Sequence, residues 1–104
     1  MDTDSDIVEL DAGAFRARLN DIFRIHLGDQ VVEVELVDVA GLGGHSARQD
    51  RTPFSLMFRG PEGLALEQAI YRFENDEMGE MDLFLVCVGP DPDDRQMRYE
   101  VIFT

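Results

Sequence analysis

Short apolar runs closed by turn residues follow one another along this chain of 104 residues. In Ile22–Leu27 the side chains of Phe23, Ile25 and Leu27 share one face and Arg24 and His26 the other, the two-residue period of a half-covered strand. Gly28-Asp29 predicts a tight hairpin turn. In the return strand, Val31 to Val39, Val32, Val34 and Leu36 point inward and Glu33 and Glu35 outward. The phase then flips, with Val37 and Val39 apolar around Asp38. A period of two cannot flip without an extra residue, so a β-bulge or bend is expected at Leu36-Val37. Further strands are predicted at Phe54–Arg59, with Phe54, Leu56 and Phe58 inward, and at Ala69–Glu74, with Tyr71 and Phe73 inward. Turns are expected at Gly60–Gly63, Asn75–Gly79 and Gly89–Asp94. Met81–Val88 is apolar on both faces after Asp82, so it is expected to be the most buried strand, with Cys87 as an inert core thiol. Met97, Tyr99, Val101 and Phe103 alternate to the end of the last strand.

The one helical window is Leu10 to Asn20, where Asp11 can cap and Leu10, Phe15 and Leu19 recur at four to five residues. Gly13 weakens it, so one or two turns are expected, plugging one end of a sheet. Six strands and one short N-terminal helix predict an all-β domain, a small six-stranded antiparallel barrel or sandwich. Residues 1–9 are expected to be an acidic flexible tail and 10–104 a single β domain.

Charge narrows the partners. The chain has 22 acids against 9 bases, all of them arginine, for a formal net charge of -13. Such a surface repels nucleic-acid backbones and anionic lipid and favours basic partners or cations. No nucleic-acid or membrane partner is therefore expected. No apolar run approaches the ~20 residues of a membrane helix, and the acidic start lacks the pattern of a secretory signal. Cys87 stands alone, so no intrachain disulfide forms. These features predict a cytoplasmic protein, or one carried as part of an exported assembly.

Candidate chemistry is sparse. His26 and His45 are the only imidazoles; one lies on a strand's outer face, the other beside Ser46 in a glycine-rich loop, and adjacent residues make a poor dyad. Gly41-Leu-Gly-Gly44 lacks the lysine and hydroxyl of a phosphate loop, and a chain without lysine forms no Schiff base. Two histidines and one cysteine far apart give no zinc spacing. Asp91, Asp93 and Asp94 read first as turn chemistry; calcium binding there is left open, because Pro92 interrupts the ligand spacing of a calcium loop. Pairs such as Glu33/Glu35 and Glu80/Asp82 follow from composition alone. No catalytic, cofactor-binding or metal-ligating residue is assigned, and the protein is expected not to be an enzyme. One cluster stands out. His45, Arg48 and Arg51 gather positive charge in the long loop Ala40–Pro53, where they are candidates to receive an acidic group of a protein partner. Pairing with the chain's own carboxylates is the competing account.

Several phrases together resemble a known family: Phe23-Arg-Ile-His-Leu-Gly28, Pro53-Phe-Ser-Leu-Met-Phe-Arg-Gly-Pro61, Tyr71-Arg-Phe-Glu74, Leu83-Phe-Leu-Val86, Val88-Gly-Pro90 and Met97-Arg-Tyr-Glu-Val-Ile-Phe103. They are similar to a family of small bacterial proteins described only as domain of unknown function 6916. The similarity covers roughly residues 10–103, with Cys87 where the family tends to have proline. It implies neighbours resembling phage-tail-collar proteins, and hence an accessory role in a tail-fibre-like assembly. It implies no catalytic residues and no cofactors. The leading expectation is a non-enzymatic interaction or structural module working through sheet edges and loops. An acidic inhibitor that mimics nucleic acid on a basic partner and a small-ligand carrier are the alternatives. Homo-oligomerisation is left open.

Overall fold

Asp11 accepts a hydrogen bond from the Ala14 amide at 2.8 Å and so caps a helix of five residues, Ala12–Arg16 (α1). In the computed structural model, residues 11–41 and 53–103 are described. Six strands follow: Ile22–Leu27 (β1), Gln30–Gly41 (β2), Phe54–Gly60 (β3), Ala69–Asn75 (β4), Gly79–Pro90 (β5) and Met97–Phe103 (β6). They close into an antiparallel barrel in the order β1-β2-β3-β6-β5-β4. Two three-stranded meanders, β1-β2-β3 and β4-β5-β6, thus lie side by side and join along two seams. The β3–β6 seam pairs seven residues, from Phe54↔Phe103 to Gly60↔Met97. The β1–β4 seam pairs only three, Arg24↔Glu74, Ile25↔Phe73 and His26↔Arg72. Between barrel and sandwich, the outcome is a barrel, and closure leaves no free edge among the described strands. The pairing is uneven around the wall: β1 meets β4 only over Arg24–His26, and β2 meets β3 only from Glu35 onward.

The interior is aromatic. Phe15, Phe23, Phe58, Phe73 and Tyr99 are fully buried, with Ile25, Leu36, Leu56 and Leu85 between them. Phe23 and Phe58 meet edge to face at 5.2 Å between ring centres, and Phe58 lies 5.2 Å from Phe73. Helix α1 acts as the expected plug. Its Phe15 sits 5.5 Å from Phe103, 6.1 Å from Phe54 and 6.4 Å from Phe23, closing the end where β3 begins and β6 finishes. At the other end of β3 and β6, the segment 61–68 crosses between the meanders. The Tyr99 hydroxyl donates to the Leu64 carbonyl there, and Leu64 and Leu66 pack against the core. Burial, with a smaller contribution from the neighbouring Cys87, pushes the Tyr99 phenol up to about 12.

The predicted phase flip is a bulge. The β2–β3 register shifts between Leu36 and Asp38, so that Leu36 faces Phe58 and Val39 faces Leu56 across the pair. Leu36 is fully buried, whereas the inserted Val37 is only half-buried. A second bulge interrupts β5 between Cys87 and Gly89, where Gly89 takes a positive φ of 112°.

One expectation fails. Met81–Val88 is not the most buried strand: Phe84 and Val88 are exposed and Val86 and Cys87 half-buried. Strand β3 is the most covered, with Phe54, Ser55, Leu56, Phe58 and Gly60 all buried. A barrel has one interior, so a strand apolar on both faces must leave one apolar row outside. Cys87 faces Tyr99 across the β5–β6 pair and packs against the core without being enclosed by it.

Candidate functional site

The outer wall of the barrel divides into a charged part and an apolar part, and register sets both. Directly opposed residues on neighbouring strands point the same way, so the pairs Arg24↔Glu33, Arg24↔Glu74 and Glu74↔Glu80 lay one charged row across β2, β1, β4 and β5. His26↔Val31, His26↔Arg72 and Arg72↔Asp82 lay the next.

These rows form an ion-pair network over the short β1–β4 seam. Arg24 donates to Asp76 at 2.7 Å and to Glu74 at 3.4 Å. His26 Nε2 lies 3.1 Å from the same Glu74 oxygen. Arg72 donates to Asp82 at 2.9 Å and to Glu80 at 3.3 Å. Both guanidiniums are held more firmly protonated, Arg24 chiefly by Asp76 and Arg72 chiefly by Asp82. The Arg24 guanidinium, and then His26, hold the Glu74 carboxyl below its ordinary range. Beneath the network Asn75 is buried and fully satisfied. Its amide donates to the Ile22 carbonyl at 3.1 Å, and its oxygen accepts from the amides of Glu77 and Met78. The turn between β4 and β5 is thereby tied to β1. His26, Glu74 and Glu80 each present a ligand atom within 4.8 Å of the others.

The apolar part lies on β4, β5 and β6. Ile70 opposes Phe84, and Ile102 opposes Ser55. Val86 opposes Glu100 where the β5–β6 pairing ends, with Phe84 two residues before Val86 on β5 and Ile102 two residues after Glu100 on β6. Ile70, Phe84 and Ile102 are exposed on these strands at 68%, 47% and 49%, with Val86 half-buried next along β5. Val88, at the β5 bulge, is 56% exposed. Asp82, Glu100 and Asp38 border this strip, and Arg72 beside it is already paired to Asp82.

The Asp91–Asp94 turn does structural work. The Asp91 carboxylate accepts from the Asp93 amide at 2.8 Å, and Asp94 from the Gln96 amide at 2.9 Å. Arg98 binds Asp94 at 3.1 Å and reaches Asp91 at 3.5 Å. Arg98 first, then the Gln96 amide, lower the Asp94 carboxyl. Arg59 pairs with Glu35 on the adjacent wall. An open cleft of about 450 Å³, lined by Arg18, Asp21, Arg24, Glu33, Asp76 and Glu77, lies beside the ion-pair network.

His45, Arg48 and Arg51, the expected partner contacts, lie outside the described residues. His26 is where its strand period put it, on the outer face. Its meeting with Glu74 and Glu80 was missed. The Glu74–Glu80 pair follows from the symmetry of the Asn75–Gly79 turn and was open to reading. The His26–Glu74 contact spans 48 residues and depends on barrel closure, which no local pattern announces. The exposed apolar residues are not separable from core in sequence, because apolar positions on both faces of β5 read equally as burial.

Fold and wall define a small closed antiparallel barrel with a packed aromatic interior and a divided outer surface. Within that class the chain belongs to the family described as Domain of unknown function (DUF6916), whose model matches residues 10–103. No curated protein and no solved structure matches the chain.

Proposed function

We propose that this chain is a non-enzymatic binding module that docks a protein partner on the β4–β5–β6 wall. The observation that carries the reading is the exposure of Ile70, Phe84 and Ile102. Scattered apolar residues on a surface are ordinary; an opposed pair, Ile70 and Phe84, with Ile102 exposed on the same wall makes a strip of the kind found at interfaces. The strip's acidic border and the net charge of -13 select a partner with an apolar centre and a basic rim. The same charge opposes self-association through this face.

The alternatives draw less support. Arginines interleave with the carboxylates on the charged wall, so the acids do not form the unbroken track that a phosphate mimic needs. The described core fills the barrel axis with rings, where a carrier would keep a cavity. The partner we infer is a tail-collar-like protein of a phage-tail-like or tail-fibre-like assembly, following the neighbourhood that the family resemblance implies.

Co-expression with such a tail-collar-like protein tests this. Wild type should co-purify with it, and Ile70→Asp and Phe84→Asp variants should not, while melting like the parent. Loss of the complex only at raised salt, with the apolar variants still binding, would favour acidic mimicry instead. Co-purification indifferent to both changes would overturn the reading.

A further inference from the structure

We infer that His26, Glu74 and Glu80 form a binding site for a borderline divalent transition ion, zinc above all, which would clasp the β1–β4 seam. The three ligands come from three strands, β1, β4 and β5, and their ligand atoms already lie within 4.8 Å of one another. The 3.1 Å between His26 Nε2 and the Glu74 oxygen is close to the ligand–ligand edge of about 3.3 Å in a tetrahedral site with bonds of about 2.0–2.1 Å. An imidazole with two carboxylates suits zinc, nickel or copper rather than calcium or magnesium, which take oxygen ligands. Three protein ligands leave a fourth position for water.

The neighbouring arginines set the test of plausibility, since they compete for the same carboxylates. Each has a better partner elsewhere. Arg24 holds Asp76 at 2.7 Å but Glu74 only at 3.4 Å. Arg72 holds Asp82 at 2.9 Å but Glu80 only at 3.3 Å. Glu74 and Glu80 can therefore turn to a metal while both guanidiniums stay paired. The retained arginine–carboxylate pairs would then fix the site's surroundings. The location gives the ion something to do: the β1–β4 seam has three residue pairs against seven at β3–β6, and an ion bridging it would hold the barrel closed. This inference is independent of docking on the β4–β5–β6 wall.

Calorimetric titration of the full chain with zinc chloride, paired with thermal melts, tests it. Wild type should bind one zinc ion per chain and melt higher with zinc, because an ion that binds only the folded state stabilises it. His26→Gln and Glu80→Gln should each weaken binding about tenfold or more and remove the melting shift. His45→Gln, at the chain's other histidine, should change neither. Melting of each variant without zinc shows that it still folds. Absence of stoichiometric binding in wild type would overturn the site. So would binding that survives both His26→Gln and Glu80→Gln, which would mark diffuse uptake by surface acids, or binding lost with His45→Gln.

Discussion

Adding one methyl group at Gly60 should destabilise this barrel sharply, although Gly→Ala in a strand ordinarily helps by about 0.5–1 kcal/mol. Gly60 ends β3, is buried, and pairs with Met97. A Cβ built there would lie 2.6 Å from Cε2 of Tyr99, 3.1 Å from its hydroxyl and 3.2 Å from Cγ1 of Val34. Carbon atoms pack best at about 3.5–4.0 Å, so the ring must retreat by roughly 1 Å. Tyr99 has little room to do so. It is fully buried and its hydroxyl is anchored on the Leu64 carbonyl of the crossing segment. Overpacking of this kind costs about 1–3 kcal/mol, and a weakened buried hydrogen bond adds about 1 kcal/mol. Gly60→Ala should therefore lose about 2–4 kcal/mol in urea unfolding, through a lower midpoint with little change in slope. Tyr99→Leu removes the offending ring edge. In that background the Gly60→Ala penalty should shrink by more than about 1 kcal/mol, a coupling measured by the double-mutant cycle. If Gly60→Ala proves as stable as the parent, the close approach of β3 to Tyr99 is wrong, and with it the packing of this end of the barrel.

Phe15→Ala empties the space between three rings and should cost about 3–5 kcal/mol by the same unfolding assay; a loss below about 1 kcal/mol would show that α1 does not plug the barrel. At the β2 bulge the two neighbours should differ: Leu36→Ala should cost about 2–5 kcal/mol, and Val37→Ala, half-buried, clearly less. Acid should weaken the fold through Glu74 and Asp94. Their carboxyls titrate lower in the fold than their ordinary 4.5 and 3.8, so the stability they lend is present above those values and is lost as pH falls through the depressed ones. A pH series of urea midpoints should fall below about pH 4.5, and less steeply in the double variant Glu74→Gln, Asp94→Asn; identical slopes would contradict the network.

The parts of this molecule that were legible in sequence are those governed by nearest neighbours. The alternation in Ile22–Leu27 and Phe54–Arg59 marks strands and inward faces, and the phase flip at Leu36-Val37 marks a bulge, because both depend only on the period of the pleat. What the pattern does not carry is which strands meet across the closing seam. His26 and Glu74 touch only because β1 returns to β4, and the exposure of Phe84 depends on the barrel having a single interior. Apolar content told of two faces on β5 but not that one of them faces outward. The surface that supports the proposed function is accordingly the one read as core.

Methyl NMR of the chain titrated with the tail-collar-like partner tests docking on that surface most directly. Ile70 and Ile102 are exposed on β4 and β6, Ile22 is exposed at the start of β1, and Ile25 is fully buried, so four isoleucines report on three environments. Docking on β4–β5–β6 predicts that the Ile70 and Ile102 methyl signals shift or broaden while Ile22 and Ile25 stay in place. Shifts at Ile22 with Ile70 and Ile102 unmoved would contradict it.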